Sequence, residues 1–143
     1  MQATLQHQQH TLSIRTAGKS LHPLTGDIQQ LVGASGIQVG LCHLFVCHTS
    51  ASLLIQENAD PDVLRDLESF FAQLVPEDLS RYRHRAEGMD DMPAHIRSAL
   101  THTSETIPIR AGQLALGTWQ GIYLWEHRQR GHLRQVVVHL TGY

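Results

Sequence analysis

The sequence contains no run of like charge and no long apolar stretch. Eleven lysines and arginines stand against thirteen acidic residues, a formal net charge of −2 with histidine neutral. Nucleic-acid binders carry a basic stripe, and its absence removes nucleic acid from the expected partners. No segment reaches the roughly 20 consecutive apolar residues of a membrane-spanning helix. Met1 to His10 is polar and glutamine-rich, without the basic start and apolar core of a secretory signal. These absences predict a cytoplasmic protein that does not associate with membranes.

Cysteine is equally scarce: Cys42 and Cys47 are the only two. Both fall in Leu41–Cys47, which reads as a strand. Residues an odd number of positions apart on a strand point to opposite faces, so these thiols cannot pair without breaking it. Two buried free thiols in a reducing compartment are expected. A Gly-x-Ser-x-Gly elbow, a glycine-rich phosphate loop and a His-Glu-x-x-His zinc motif are all missing.

What is present suits one ordinary domain. The 143 residues are 41% hydrophobic, enough for a single core. Thr4–Thr16 alternates as a strand, and Asp27–Val32 reads as a short helix ended by Gly33 or Gly36. Ile37–His48 is the most apolar run and predicts a central strand. Ser50–Gln56 follows as a second strand or a bent extension. Asp60-Pro61-Asp62 opens the clearest helix, with a cap, a proline at the first position and an acid at the positive end. Its apolar stripe is Val63, Leu67, Phe70, Phe71 and Leu74, and Pro76 stops it. Leu79–Met92 reads as a surface loop, and Pro93 begins a short helix with Ile96, Ala99 and Leu100 inward. Thr106–Ile109, Gln113–Leu116, Gly121–His127 and Leu133–Thr141 are strands punctuated by glycines. Strands joined by short turns with few helices between them predict an α+β fold, a largely antiparallel sheet or sandwich with two or three helices.

Histidine is the abundant residue, at 11 as frequent as lysine and arginine together. The histidines are dispersed, so only convergence in space makes a site. His48-Thr49-Ser50-Ala51-Ser52 ends the apolar strand, where binding residues often gather, although such hydroxyls also satisfy local turns. Thr49 and Ser50 are candidate substrate contacts. Ser50 or Ser52 as a nucleophile lacks an elbow and an oxyanion hole. Of the nearby acids, Asp60 is explained as a cap and Glu57 is not, which makes Glu57 the candidate for proton transfer. His84 and His95 flank the acidic loop Glu87–Asp91. With His48 they make a three-histidine zinc set if the fold gathers them. Trp119, in the block with Gln120, either plugs a strand bend or stacks on a flat ligand. Glu126 shares a strand face with Ile122 and Leu124, and facing the core it requires a partner such as Arg134 or a metal-bound histidine.

Several blocks in order resemble the YjbQ family. They are His48-Thr49-Ser50-Ala51-Ser52 to Glu57-Asn58, Asp60-Pro61, Tyr82-x-His84, Asp90-Asp91-Met92-Pro93-Ala94-His95-Ile96, Leu116-Gly117-Thr118-Trp119-Gln120-Gly121-Ile122 and the closing Gly142. The resemblance implies an α+β sandwich assembled as a homotrimer, with the pocket near a subunit boundary. It also implies that His48, His84 and His95 converge, often around a metal, and that the protein has a secondary thiamine-phosphate-synthase activity. Met92-Pro93, His127-Arg128 and Arg130-Gly131-His132 are less typical of the family.

That synthase reaction joins a pyrimidine diphosphate to a thiazole phosphate and expels pyrophosphate, which needs cationic groups and usually Mg²⁺. Arg81, Arg83, Arg85 and Arg97 are the available cations, with Arg97 the candidate for substrate. Three classes remain open. One is an enzyme with a metal or histidine acid–base centre, His48 included, acting on a phosphorylated or heteroaromatic substrate. The second is a zinc hydrolase in which Glu57 or Glu126 activates water. The third is a non-catalytic small-ligand binder.

Overall fold

The alternation of the opening stretch becomes β1, Gln6–Arg15, in the computed structural model, which describes residues 3–143. Met1 and Gln2, the start of the polar N-terminus, lie outside the described residues. The chain continues through β2 (Ser20–Pro23), α1 (Thr25–Ser35), β3 (Val39–Val46), β4 (Ala51–Glu57) and α2 (Pro61–Leu74). A single 3₁₀ turn, Leu79–Arg81, precedes α3 (Asp91–Leu100). The last third supplies β5 (Ser104–Arg110), β6 (Gln113–Leu114), β7 (Gln120–Glu126) and β8 (Leu133–Gly142).

The strands form two antiparallel sheets, in the orders β1-β8-β3-β5-β6 and β2-β7-β4. The architecture is α+β. One core fills the space between the sheets, with Cys42, Leu44 and Val138 from one side and Leu53, Ile122 and Leu124 from the other. The helix α1 adds Ile28 and Val32 to it and ends at Gly36, whose φ of 74° suits glycine. On the opposite side of the smaller sheet, Phe71 of α2 meets Trp125 edge-on, with ring centroids 5.1 Å apart. Covered on both faces, β7 is buried from Gly121 to Glu126, which explains its unbroken apolar run. Gly40 and Gly142 sit opposite each other where β3 meets β8. A Cβ on Gly40 would lie 2.1 Å from the Thr141 carbonyl oxygen, so that approach requires glycine.

Asp60 accepts from the Asp62 N–H at 2.9 Å and caps α2, with Pro61 in the first turn. Several expectations need correction. The helix α3 begins at Asp91 rather than Pro93, because a proline is tolerated anywhere in the first turn, where no intrahelical N–H bond is lost. The sequence pattern also misses β2, which is only four residues long. Cys47 lies just past β3 and is exposed, so only Cys42 is a buried thiol. Phe70 and Leu74 stay more than half exposed, because α2 rests on one sheet and its stripe is wider than that contact. No helix among the described residues is long and apolar enough to cross a membrane.

Candidate functional site

Asp91 and His95 lie four residues apart on the first turns of α3 and therefore share a face. The loop before the helix brings His84 to the same point. His84 Nε2 is 2.5 Å and His95 Nε2 3.2 Å from Asp91 Oδ2. All three ligand atoms fall within 4.8 Å of one another. Asp91 is almost fully buried, whereas the imidazoles are about one-third exposed or more.

Two contacts aim this cluster. His95 donates its Nδ1–H to the Thr49 carbonyl oxygen at 2.9 Å. A carbonyl only accepts, so Nε2 of the neutral ring presents a lone pair to the Asp91 carboxylate. Two acceptors face each other at that distance only with a proton or a cation between them. Imidazole fixed through a backbone carbonyl, with its other nitrogen free, is the usual arrangement of a metal-ligating histidine. On the far side, Arg128 Nη1 lies 2.7 Å from Asp91 Oδ1, while Nε holds Asp90 and Nη2 holds the Glu87 carbonyl. Burial raises the Asp91 pKa, but His84, Arg128 and His95 together bring it below the usual carboxylate value. Two imidazoles and a carboxylate suit Zn²⁺ with a position left open.

A cleft of about 300 Å³ adjoins the cluster, lined by His48, Thr49, His95, Ser98, Ala99 and Thr103. His48 therefore stands in the cleft wall and not among the three clustered groups; Asp91 occupies the third place. The Nε2 of His48 accepts the Gln135 N–H at 2.8 Å. A second cavity of about 340 Å³ opens behind Arg128, walled by Glu87, Asp90, Arg130 and His132.

Other candidates take different roles. Glu126 is fully buried and ion-paired to Arg134, with Thr16 Oγ1 at 2.6 Å and the Arg128 N–H at 3.1 Å. Burial pushes its pKa up, and the Arg134, Thr16 and Arg128 bonds more than reverse this. A carboxylate so occupied is structural and cannot activate water. Ser50 is also buried, its hydroxyl accepting from Arg134 Nη2 at 2.9 Å, which removes it from substrate contact. Ser52 Oγ shares a 2.8 Å hydrogen bond with His127 Nε2, but neither side chain is exposed, so no substrate reaches this pair. Burial first, then Arg97, Arg134 and Lys19, lower the His127 pKa to about 3. Arg97 is 1% exposed, bonded to Glu68 and set over the Trp125 ring, out of reach of a phosphate.

Glu57, Trp119 and Gln120 lie at the opposite end of the smaller sheet. Six residue steps of β4 separate Glu57 from Ala51, about 20 Å at strand rise. There Glu57 Oε2 accepts the Asn58 and Ala59 N–H groups, and Asn58 braces the loop that carries an exposed Trp119. Gln120 Oε1 accepts the Gly117 N–H at 2.7 Å. Within one chain these residues do not meet the histidine cluster. The residues that sequence reasoning missed are Asp91 and Arg128. The spacing of Asp91 to His95 was the available signal for the first, and nothing local marked the second.

The family profile described as UPF0047 protein YjbQ-like matches residues 10–143. A UPF0047 protein of Synechocystis is 66% identical over 140 residues, covering 98% of this chain and 95% of its own. The UPF0047 protein YjbQ of Escherichia coli O157:H7 is 44% identical over 135 residues, covering 94% and 97%. Among solved structures, a YbjQ-like protein of unknown function from Sulfolobus solfataricus superposes with a TM-score of 0.90 at 25% identity, covering 98% of this chain and all of that one. An uncharacterised conserved protein from Clostridium acetobutylicum reaches 0.80 at 37% identity, covering 90% and 97%.

Proposed function

This chain belongs to the YjbQ family, and on that premise we propose that it is a metal-dependent enzyme acting on a small phosphorylated molecule. His84, Asp91 and His95 hold a divalent ion, with Zn²⁺ suited to the donors and Mg²⁺ entering only with a diphosphate substrate. The observation that carries this reading is the convergence of one ligand atom each from His84, Asp91 and His95 within 4.8 Å of one another, with His95 Nδ1 committed to the Thr49 carbonyl. A bound divalent ion supplies Lewis-acid polarisation of a phosphoryl oxygen. The protein's own part is to hold the ligands, through Thr49 and Arg128, and to admit substrate through the neighbouring cleft.

A thiamine-phosphate-synthase-like transfer is one reaction this site can serve, as a secondary activity. Its cations differ from those the sequence suggested: Arg97 is buried, and Arg128 and Arg130 line the cavity behind the cluster. We place the protein in the cytoplasm as a homotrimer. The outer face of the larger sheet supports the assembly, since Val39, Leu41 and Phe45 are exposed together on β3. A Phe45→Glu variant that sediments as a monomer, beside a wild type that does not, is the expected result.

Elemental analysis of untagged protein tests the ion. Near-stoichiometric zinc is expected in the wild type, with loss in His84→Ala, Asp91→Asn and His95→Ala. A wild type purified without chelator that carries no metal, and takes up none, overturns the reading and favours a metal-free binding pocket.

A further inference from the structure

Two histidines stand on either side of Thr49, and the main chain engages opposite ring nitrogens of the two, Nδ1 of His95 and Nε2 of His48. His95 donates from Nδ1 to the Thr49 carbonyl and turns Nε2 to Asp91 in the cluster. His48 is turned the other way. The strand β3 ends at Val46, and just beyond it the Cys47 N–H reaches the Gln135 carbonyl at 3.1 Å. The Gln135 N–H then has no β3 carbonyl to meet, and His48 Nε2 accepts it at 2.8 Å. An amide N–H only donates, so Nε2 must carry a lone pair. A neutral imidazole then keeps its one proton on Nδ1.

The ring is held in that neutral form. Burial lowers its pKa first, Arg134 and His132 lower it further, and Glu126 opposes them. No acceptor is paired with His48 Nδ1 among the described residues, while His48 forms part of the cleft wall shared with His95. The remainder of that wall is Ser98, Ala99 and Thr103, which offer mainly carbon surface.

We propose that His48 is not a metal ligand but the substrate-facing hydrogen-bond donor of the cleft. Its Nδ1–H binds a phosphoryl oxygen of a substrate whose uncharged organic part lies against Ala99 and Thr103. The identity of the phosphoryl-bearing substrate class rests on the reading of the preceding subsection. The tautomer of His48 does not.

The test pairs two variants. A glutamine places its amide oxygen near the position of Nε2, so His48→Gln retains an acceptor for Gln135 and presents nothing at Nδ1. An asparagine places its amide near Nδ1, so His48→Asn retains the donor. Zinc-loaded wild type, H48Q and H48N are titrated with inorganic pyrophosphate by calorimetry, with metal content measured on the same samples. The expected result is full zinc in H48Q with pyrophosphate binding weakened roughly tenfold to a hundredfold, the worth of one charge-assisted hydrogen bond. H48N is expected within a few-fold of wild type. Unchanged binding in H48Q, no binding in zinc-loaded wild type, or loss of zinc in H48Q each overturns the proposal.

Nitrogen-15 spectra of labelled histidine in metal-free wild type read the tautomer directly, and an Nε2–H form at His48 also overturns it. A wild type that accepts no zinc, yet shows the Nδ1–H tautomer and binds pyrophosphate with the same H48Q loss, overturns the metal reading alone.

Discussion

Arg128 Nη1 lies 2.7 Å from Asp91 Oδ1, on the side of the carboxylate opposite the two imidazoles. The same guanidinium grips Asp90 and the Glu87 carbonyl, so one side chain ties the acidic loop and the start of α3 to the end of β7. Partners of this kind set the aim of a ligand without touching the ion. Replacing Arg128 with Gln is expected to lower zinc affinity roughly 10- to 100-fold with the fold intact. Competition against a chelator of known affinity, with circular dichroism on the same samples, checks both halves of the statement.

Glu126 and Arg134 are both buried, and each is the other's charge partner. Glu126→Gln leaves a buried guanidinium without a counter-ion, which costs about 3–5 kcal/mol. Denaturant unfolding should show that loss. Metal content should not change, since Glu126 touches no member of the cluster. A stable Glu126→Gln protein that is merely inactive would restore the catalytic assignment for Glu126.

His127 makes stability depend on pH. Its pKa falls from 6.5 in the unfolded chain to about 3 in the fold. Between those values the unfolded chain binds the proton and the folded one does not. The contribution is therefore complete above pH 6.5 and is lost as pH falls toward 3, by up to about 1.4 kcal/mol per pH unit. His48 is depressed as well and acts in the same direction. The comparison is thus wild type against His127→Gln, which keeps the Ser52 contact. The variant is expected to show the shallower decline between pH 6.5 and 5, above the range where the carboxylates protonate.

Trp119 is 64% exposed, so Trp119→Ala should change stability by no more than about 0.5 kcal/mol. Zinc content should also hold, given the length of β4 between the two regions. Binding of a free pyrimidine should weaken more than binding of inorganic phosphate. Equal loss for both would mark Trp119 as a packing residue.

Much of this arrangement follows from local chemistry. Alternation placed Leu12 and Ile14 on the buried side of β1, and the Asp60-Pro61 pair started α2, because capping and periodicity act over a few residues. The four-residue spacing of Asp91 and His95 guarantees a shared face once α3 forms. A glutamate among apolar residues on β7 demanded a cation, and Arg134, eight residues on, provides it.

The tertiary structure decided the rest. His48 looks equivalent to His95 in sequence, yet a main-chain N–H 87 positions away takes the nitrogen a metal would need. Arg97 reads as a cation near the histidines, but it lies on the face of α3 that packs under Glu68 and Trp125. Glu57 and Trp119 are parted from the cluster by the length of a strand. Each outcome depends on strand register and on which face a helix turns inward. Those are set by pairings across most of the chain, and no local pattern encodes them.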